Sequence, residues 1–188
     1  TGDAIRNKAA TTPMTAGFTY RIILYNTTTN RLVNTILAKS GENFEIEVPK
    51  GDKFKWYAYS FNDAQNIPEP ASLENPAIDM SVNKDFLYAS GDIETLVTPQ
   101  GQLNTYPINV IFNHKVAQVK VKIDASSLAH VSNIESFKVS FLKNDYFKKG
   151  VFSIKENAIS NLEVVPTDLV FNTLEATNVW EKSFYTAD

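Results

Sequence analysis

From Gly17 onward the chain repeats one pattern: short apolar runs of period two, parted by turn-forming residues, with no run of helical period. In residues 18–25 (FTYRIILY), Phe18, Tyr20, Ile22 and Leu24 share one face, and Thr19, Arg21, Ile23 and Tyr25 the other. NTTTN at 26–30 is a turn, and 31–38 is the next strand. Residues 43–48 alternate cleanly, with Phe44, Ile46 and Val48 inward and Glu45 and Glu47 outward. Pro49-Lys50-Gly51-Asp52 has turn composition. The aromatic run 53–61 (KFKWYAYSF) is a composition that strands favour.

Residues 62–84 carry prolines and no sustained period, and are expected to form a long excursion with at most a short helix. DFLYA at 85–89 is a short strand, followed by a loop-rich stretch over 91–107. In 108–123, Ile108, Val110 and Phe112 share one parity, while Ala117, Val119, Val121 and Ile123 share the opposite one. A parity switch inside one apolar run predicts a bulge or bend near 113–116. Residues 135–142 and 146–154 read as a hairpin across Lys143-Asn144-Asp145, and weaker strands lie at 169–172 and 179–185. About nine to eleven short strands joined by short turns predict an antiparallel, immunoglobulin-like β-sandwich with long loops. A parallel α/β sheet needs amphipathic crossover helices, and the sequence has none. The threonine-rich residues 1–16 are expected to be a flexible arm, and 17–188 one sandwich domain.

Composition narrows the chemistry. A chain of 188 residues with 43% hydrophobic and 21% charged residues is of ordinary globular make-up. At this length roughly 70% of the unfolded surface is buried on folding, so no staple is required. The net charge of −3 supplies no basic footprint, and no nucleic-acid partner is expected. The chain has no cysteine, which excludes disulfides, thiolate metal sites and cysteine nucleophiles. No run approaches the roughly 18 apolar residues that a membrane-spanning helix needs.

Catalytic signals are sparse. The two histidines, His114 and His130, stand 16 positions apart in unlike settings, and no metal motif, phosphate loop or nucleophile elbow accompanies them. His114, at the expected bend, is read as a structural imidazole. Glu45 and Glu47 mark the wet side of a strand. Glu69, Glu74 and Asp79 lie in the long excursion, where two carboxylates would suffice for glycoside hydrolysis but solvated loop charges are the plainer reading. Trp56, Tyr57, Tyr59 and Phe61 would suit a sugar-stacking platform, yet a strand apolar on both faces is more simply a central core strand. Lys53, Lys55, Lys115, Lys120 and Lys122 read as outward solubilising rows, and Asn26-Thr27-Thr28 is a formal glycosylation sequon. The chain is expected not to be an enzyme and to hold no cofactor or metal.

Four segments, in order, carry a resemblance. Residues 17–26 (GFTYRIILYN), the run Trp56-Tyr57-Ala58-Tyr59-Ser60 before a proline-containing loop, and Asp85-Phe86-Leu87-Tyr88-Ala89 are three of them. The fourth is Phe112-x-His114-x-x-Ala117-x-Val119-x-Val121. Together they resemble the N-terminal domain of fimbrillin-like proteins, the fimbrial subunits of Bacteroidetes surface pili. The resemblance implies a transthyretin-like sandwich and a non-catalytic structural or adhesive pilus subunit. It implies partners in other fimbrial subunits, joined by strand exchange, and in a host glycan or protein receptor. It also implies a lipoprotein precursor anchored in the outer membrane by a lipid on a cysteine that this sequence lacks. Phe112, His114, Ala117, Val119, Val121, Trp56, Tyr57 and Tyr59 would then be fold signatures, and the arm with Arg6 and Lys8 would hold a processing site, Arg6 foremost. Family members often run longer, with a second β-domain carrying the donor strand. A surface carbohydrate-binding sandwich is the alternative, and it would need an exposed aromatic pair.

Overall fold

A computed structural model describes residues 12–97, 99, 101–102, 104–126, 137–139, 146–166, 169–171 and 179–187. The fold is all-β with antiparallel sheets, consistent with the expected sandwich, and among the described residues no sheet closes into a barrel. Among the described residues the strands are β1 (Thr19–Asn26), β2 (Arg31–Lys39), β3 (Lys53–Ser60), β4 (Ala77–Met80), β5 (Leu87–Glu94) and β6 (Asn113–His114) in the first part of the chain. They continue with β7 (Ala117–Asp124), β8 (Phe137–Val139), β9 (Lys148–Ser153), β10 (Ala158–Val164), β11 (Leu169–Phe171) and β12 (Val179–Thr186). The chain divides into two compact units. One joins the residues up to Ile67 with Ala89–Phe112; the other joins Pro68–Tyr88 with Asn113–Asp188. Strand β5 belongs to both.

In the first unit the strands run in the order β2-β1-β3-β5. β1 and β3 are interior and apolar on both faces, and their register sets Ile22 against Ala58 and Leu24 against Trp56. Ile22, Leu24, Phe54, Trp56, Ala58 and Ala89 form a buried cluster on one face. Each large apolar side chain buried there contributes roughly 1.5–3 kcal/mol. The β1–β2 turn is fixed by Asn26, whose Oδ1 accepts the backbone N–H of Thr28 and Thr29 at 2.9 and 3.0 Å. Its Nδ2 donates to Asp52 at 2.9 Å, which ties this turn to the Lys50–Gly51 turn. Gly51 sits there at φ +75°, a conformation that costs glycine little.

The second unit holds the sheet β10-β9-β4, the pairs β11–β8 and β12–β7, and the pairing of Leu87 and Tyr88 with His114 and Asn113. The Phe152 ring lies 5.0 Å from the rings of both Phe86 and Tyr88, and the Tyr88 hydroxyl donates to the Ile154 carbonyl at 2.9 Å. Ala125, Phe147, Trp180 and Phe184 form a further buried cluster, with Val82, Val119, Val121 and Ile123 half-buried against it.

Four expectations need correction. The excursion at 62–84 is not loop throughout: it contains β4, whose partner β9 lies far along the chain. The stretch after Gly91 is not loop from its start, because β5 runs on to Glu94. Among the described residues strands β8 and β9 do not make a hairpin with one another: β8 pairs with β11, while β9 pairs with β10 across the turn at 154–157 and with β4. The turn residues 143–145 lie outside the described residues. Residues 43–48 and 108–112 alternate in burial as expected but join no ladder. The bend at 113–116 is present: β6 is only two residues long, and β7 restarts at Ala117 with its apolar residues in the opposite parity.

Candidate functional site

The two segments without a ladder lie in the first unit and cover one face of its sheet. Phe44, Ile46 and Val48 on one, and Ile108, Val110 and Phe112 on the other, are half-buried against the cluster around Ile22 and Trp56. Between them in sequence, Glu45, Glu47, Asn109 and Ile111 are exposed, Ile111 at 62%. The ring of Tyr20 meets both segments edge-on, with centroids 6.4 Å from Phe44 and 5.9 Å from Phe112. Phe44 begins the first segment and Phe112 ends the second, so the chain leaves Tyr20 along one and returns to it along the other. Burial in this setting pushes the Tyr20 hydroxyl pKa up.

The far ends are pinned. Thr95 Oγ1 donates to the Pro49 carbonyl at 2.9 Å, and the Leu96 N–H donates to the Tyr106 hydroxyl at 2.8 Å. Lys50 Nζ donates to the Pro99 carbonyl at 3.2 Å and to that of Gln102. Among the described residues, no backbone hydrogen bond joins 43–48 or 107–112 to a neighbouring strand. Such segments have the side-chain period of strands but lack, among the described residues, the backbone partners that strands have.

His114 lies elsewhere, in the second unit. Its Nδ1 stands 2.8 Å from Oδ1 of Asp85, whose side chain is only 4% exposed while the imidazole is 60% exposed. The backbone repeats the link, since the Lys115 N–H donates to the Phe86 carbonyl at 2.8 Å, and the Lys115 side chain adds a cation–π contact, its Nζ 5.4 Å from the centre of the Tyr88 ring. The imidazole therefore ties β6 to the segment entering β5 through Asp85, a residue whose sequence context marks only the start of a strand. Among the described residues no hydroxyl reaches the imidazole to complete a nucleophilic triad, and no three His, Asp or Glu side chains gather as metal ligands would.

The remaining expected residues are parts of cores. Trp56, Tyr57 and Tyr59 are buried on β3, and Trp180 is buried as well. The two tryptophans thus offer no platform for a sugar. Tyr25 and Tyr57 meet edge-on with centroids 5.9 Å apart, and burial followed by the neighbouring Tyr57 pushes the Tyr25 hydroxyl up to about 12. Val119 and Val121 are half-buried against the Trp180 cluster, and Ala117 is exposed. Phe112 belongs to the first unit and His114, Ala117, Val119 and Val121 to the second, so the motif spans both and gathers no single site. Arg6 and His130 lie outside the described residues. Glu69, Glu74 and Asp79 are exposed in the second unit, and the Glu74 carbonyl accepts Lys155 Nζ at 2.7 Å.

No protein-family model, curated protein or solved structure matches the chain.

Proposed function

We propose that this chain is a non-catalytic structural or adhesive subunit of cell-surface fimbriae that takes up a β-strand from a neighbouring subunit. The observation that carries this reading is the pair of segments 43–48 and 107–112. They present alternating apolar side chains to a core and make no ladder bonds of their own among the described residues. An incoming strand would supply the missing backbone partners, and its alternate side chains would pack beside Phe44, Ile46, Val48 and their counterparts. The order of the four resembling segments supports the same reading, and with it a precursor that is lipid-anchored in the outer membrane before it joins a fimbrium.

The experiment is made on the complete precursor, exported in its native host and run on denaturing gels without boiling. Subunits joined by an inserted strand dissociate slowly, so the expected result is a ladder that collapses to one band on heating. A single band before and after heating overturns the reading of a polymerising subunit. The carbohydrate-binding alternative draws no support from the placement of Trp56 and Trp180, both buried.

A further inference from the structure

We infer that the strand received along 43–48 carries basic residues on its outward face: an alternation of apolar side chains with Lys or Arg. This rests on the strand-uptake reading above and specifies the partner's chemistry. The two unladdered segments contain only two charged side chains, Glu45 and Glu47. Both are exposed, both lie on the solvent side of the alternation, and neither makes an ion pair among the described residues. The outward positions of the other segment, Asn109 and Ile111, carry no charge. An added strand keeps the pleat of its neighbour, so its outward side chains stand beside Glu45 and Glu47 while its inward ones reach the core. Acidic residues there would meet two like charges directly across the ladder, and basic residues would meet two opposite ones.

The pattern is one this chain itself uses. Strand β7, AQVKVKID, alternates Val119, Val121 and Ile123 with Lys120 and Lys122, and in the fold Lys120 pairs with Glu181 at 2.6 Å on β12. A synthetic peptide of that sequence is therefore a suitable probe, and the same peptide with Lys120→Glu and Lys122→Glu is its counterpart. Each is titrated into the chain while amide hydrogen exchange is followed at 43–48 and 107–112.

The basic peptide is expected to protect those amides and to bind about tenfold more tightly than the acidic one at low ionic strength, from two cross-strand charge pairs. The gap should close as salt approaches about 1 M, where screening is short-ranged. In the double variant Glu45→Lys, Glu47→Lys the preference should reverse, which separates a local pairing from general attraction to an acidic protein. Equal protection by both peptides overturns the charge selection and leaves strand uptake standing. Protection by neither overturns both, and a preference that survives the double variant unchanged places the basic peptide elsewhere and overturns the inference.

Discussion

Trp56 on β3 closes over Gly91 on β5 so tightly that a Cβ at Gly91 would stand 2.6 Å from Cζ2, 2.8 Å from Cε2 and 2.9 Å from Nε1 of the indole. The backbone of Gly91 is not in the left-handed region, so space and not conformational freedom requires glycine here. Gly91→Ala forces the indole out of its place in the cluster with Ile22 and Leu24 and should cost about 1–3 kcal/mol, the usual range for overpacking. Urea unfolding followed by fluorescence in a Trp180→Phe background isolates the Trp56 signal. An unchanged midpoint would mean that the ring moves aside freely.

His114→Ala removes a partner of the buried Asp85 carboxylate. A buried acceptor that loses a partner costs about 1–3 kcal/mol, and the expected loss lies toward the lower end because the imidazole is largely exposed. Thermal unfolding of the variant checks this. If His114→Ala melts with the parent protein, the imidazole is an ornament of the bend and not a tie between β6 and β5.

Alkaline pH should weaken the first unit. The Tyr25 hydroxyl, pushed up to about 12 by burial and then by Tyr57, has an ordinary value of 10.0 in the unfolded chain. Above pH 10 the unfolded state loses this proton while the folded state keeps it. The contribution is therefore complete below pH 10 and is lost as pH rises through about 12. Burial pushes Tyr20 and Tyr57 in the same direction. Urea midpoints measured between pH 8 and 12 should fall across the upper half of that range, and less steeply in Tyr25→Phe; identical slopes would remove Tyr25 from the account.

Asn26→Ala deletes three hydrogen bonds at the junction of two turns: those to Thr28 N–H, Thr29 N–H and Asp52. Asn26 is 7% exposed, so the groups left behind are poorly reached by water, and a loss of about 1–3 kcal/mol follows. Asn26→Asp should be no better at neutral pH, because it sets a second carboxylate beside that of Asp52. A stable Asn26→Asp, read by the same unfolding assay, would show that the Asn26–Asp52 bond contributes little.

How much was legible depended on whether a segment's pattern concerned burial or pairing. The dense alternation of 18–25 and 53–61 located β1 and β3, and apolarity on both faces of Trp56–Phe61 marked an interior strand. The same alternation at 43–48 correctly placed Phe44, Ile46 and Val48 inward, yet it carries no information on whether the backbone has a partner. Pairing between distant strands was illegible for the same reason: nothing local in Phe137–Val139 names Leu169–Phe171 as its neighbour. β4 was hidden by length, since Ala77–Met80 is too short for a period to emerge among prolines. Gly91 opens a stretch that reads as loop-rich, and what requires glycine there, the indole of Trp56, lies on another strand. The Asp85–His114 contact is illegible for the same reason as the distant strand pairs: Asp85 stands 29 positions before His114, and nothing local in either segment names the other.

The chain passes between the two units at three places, after Ile67, after Tyr88 and after Phe112. Neither unit is therefore a continuous block of codons. A single recombination event between two related genes cannot exchange one unit whole while leaving the other intact. Any crossover between codons 68 and 112 leaves both of them hybrids.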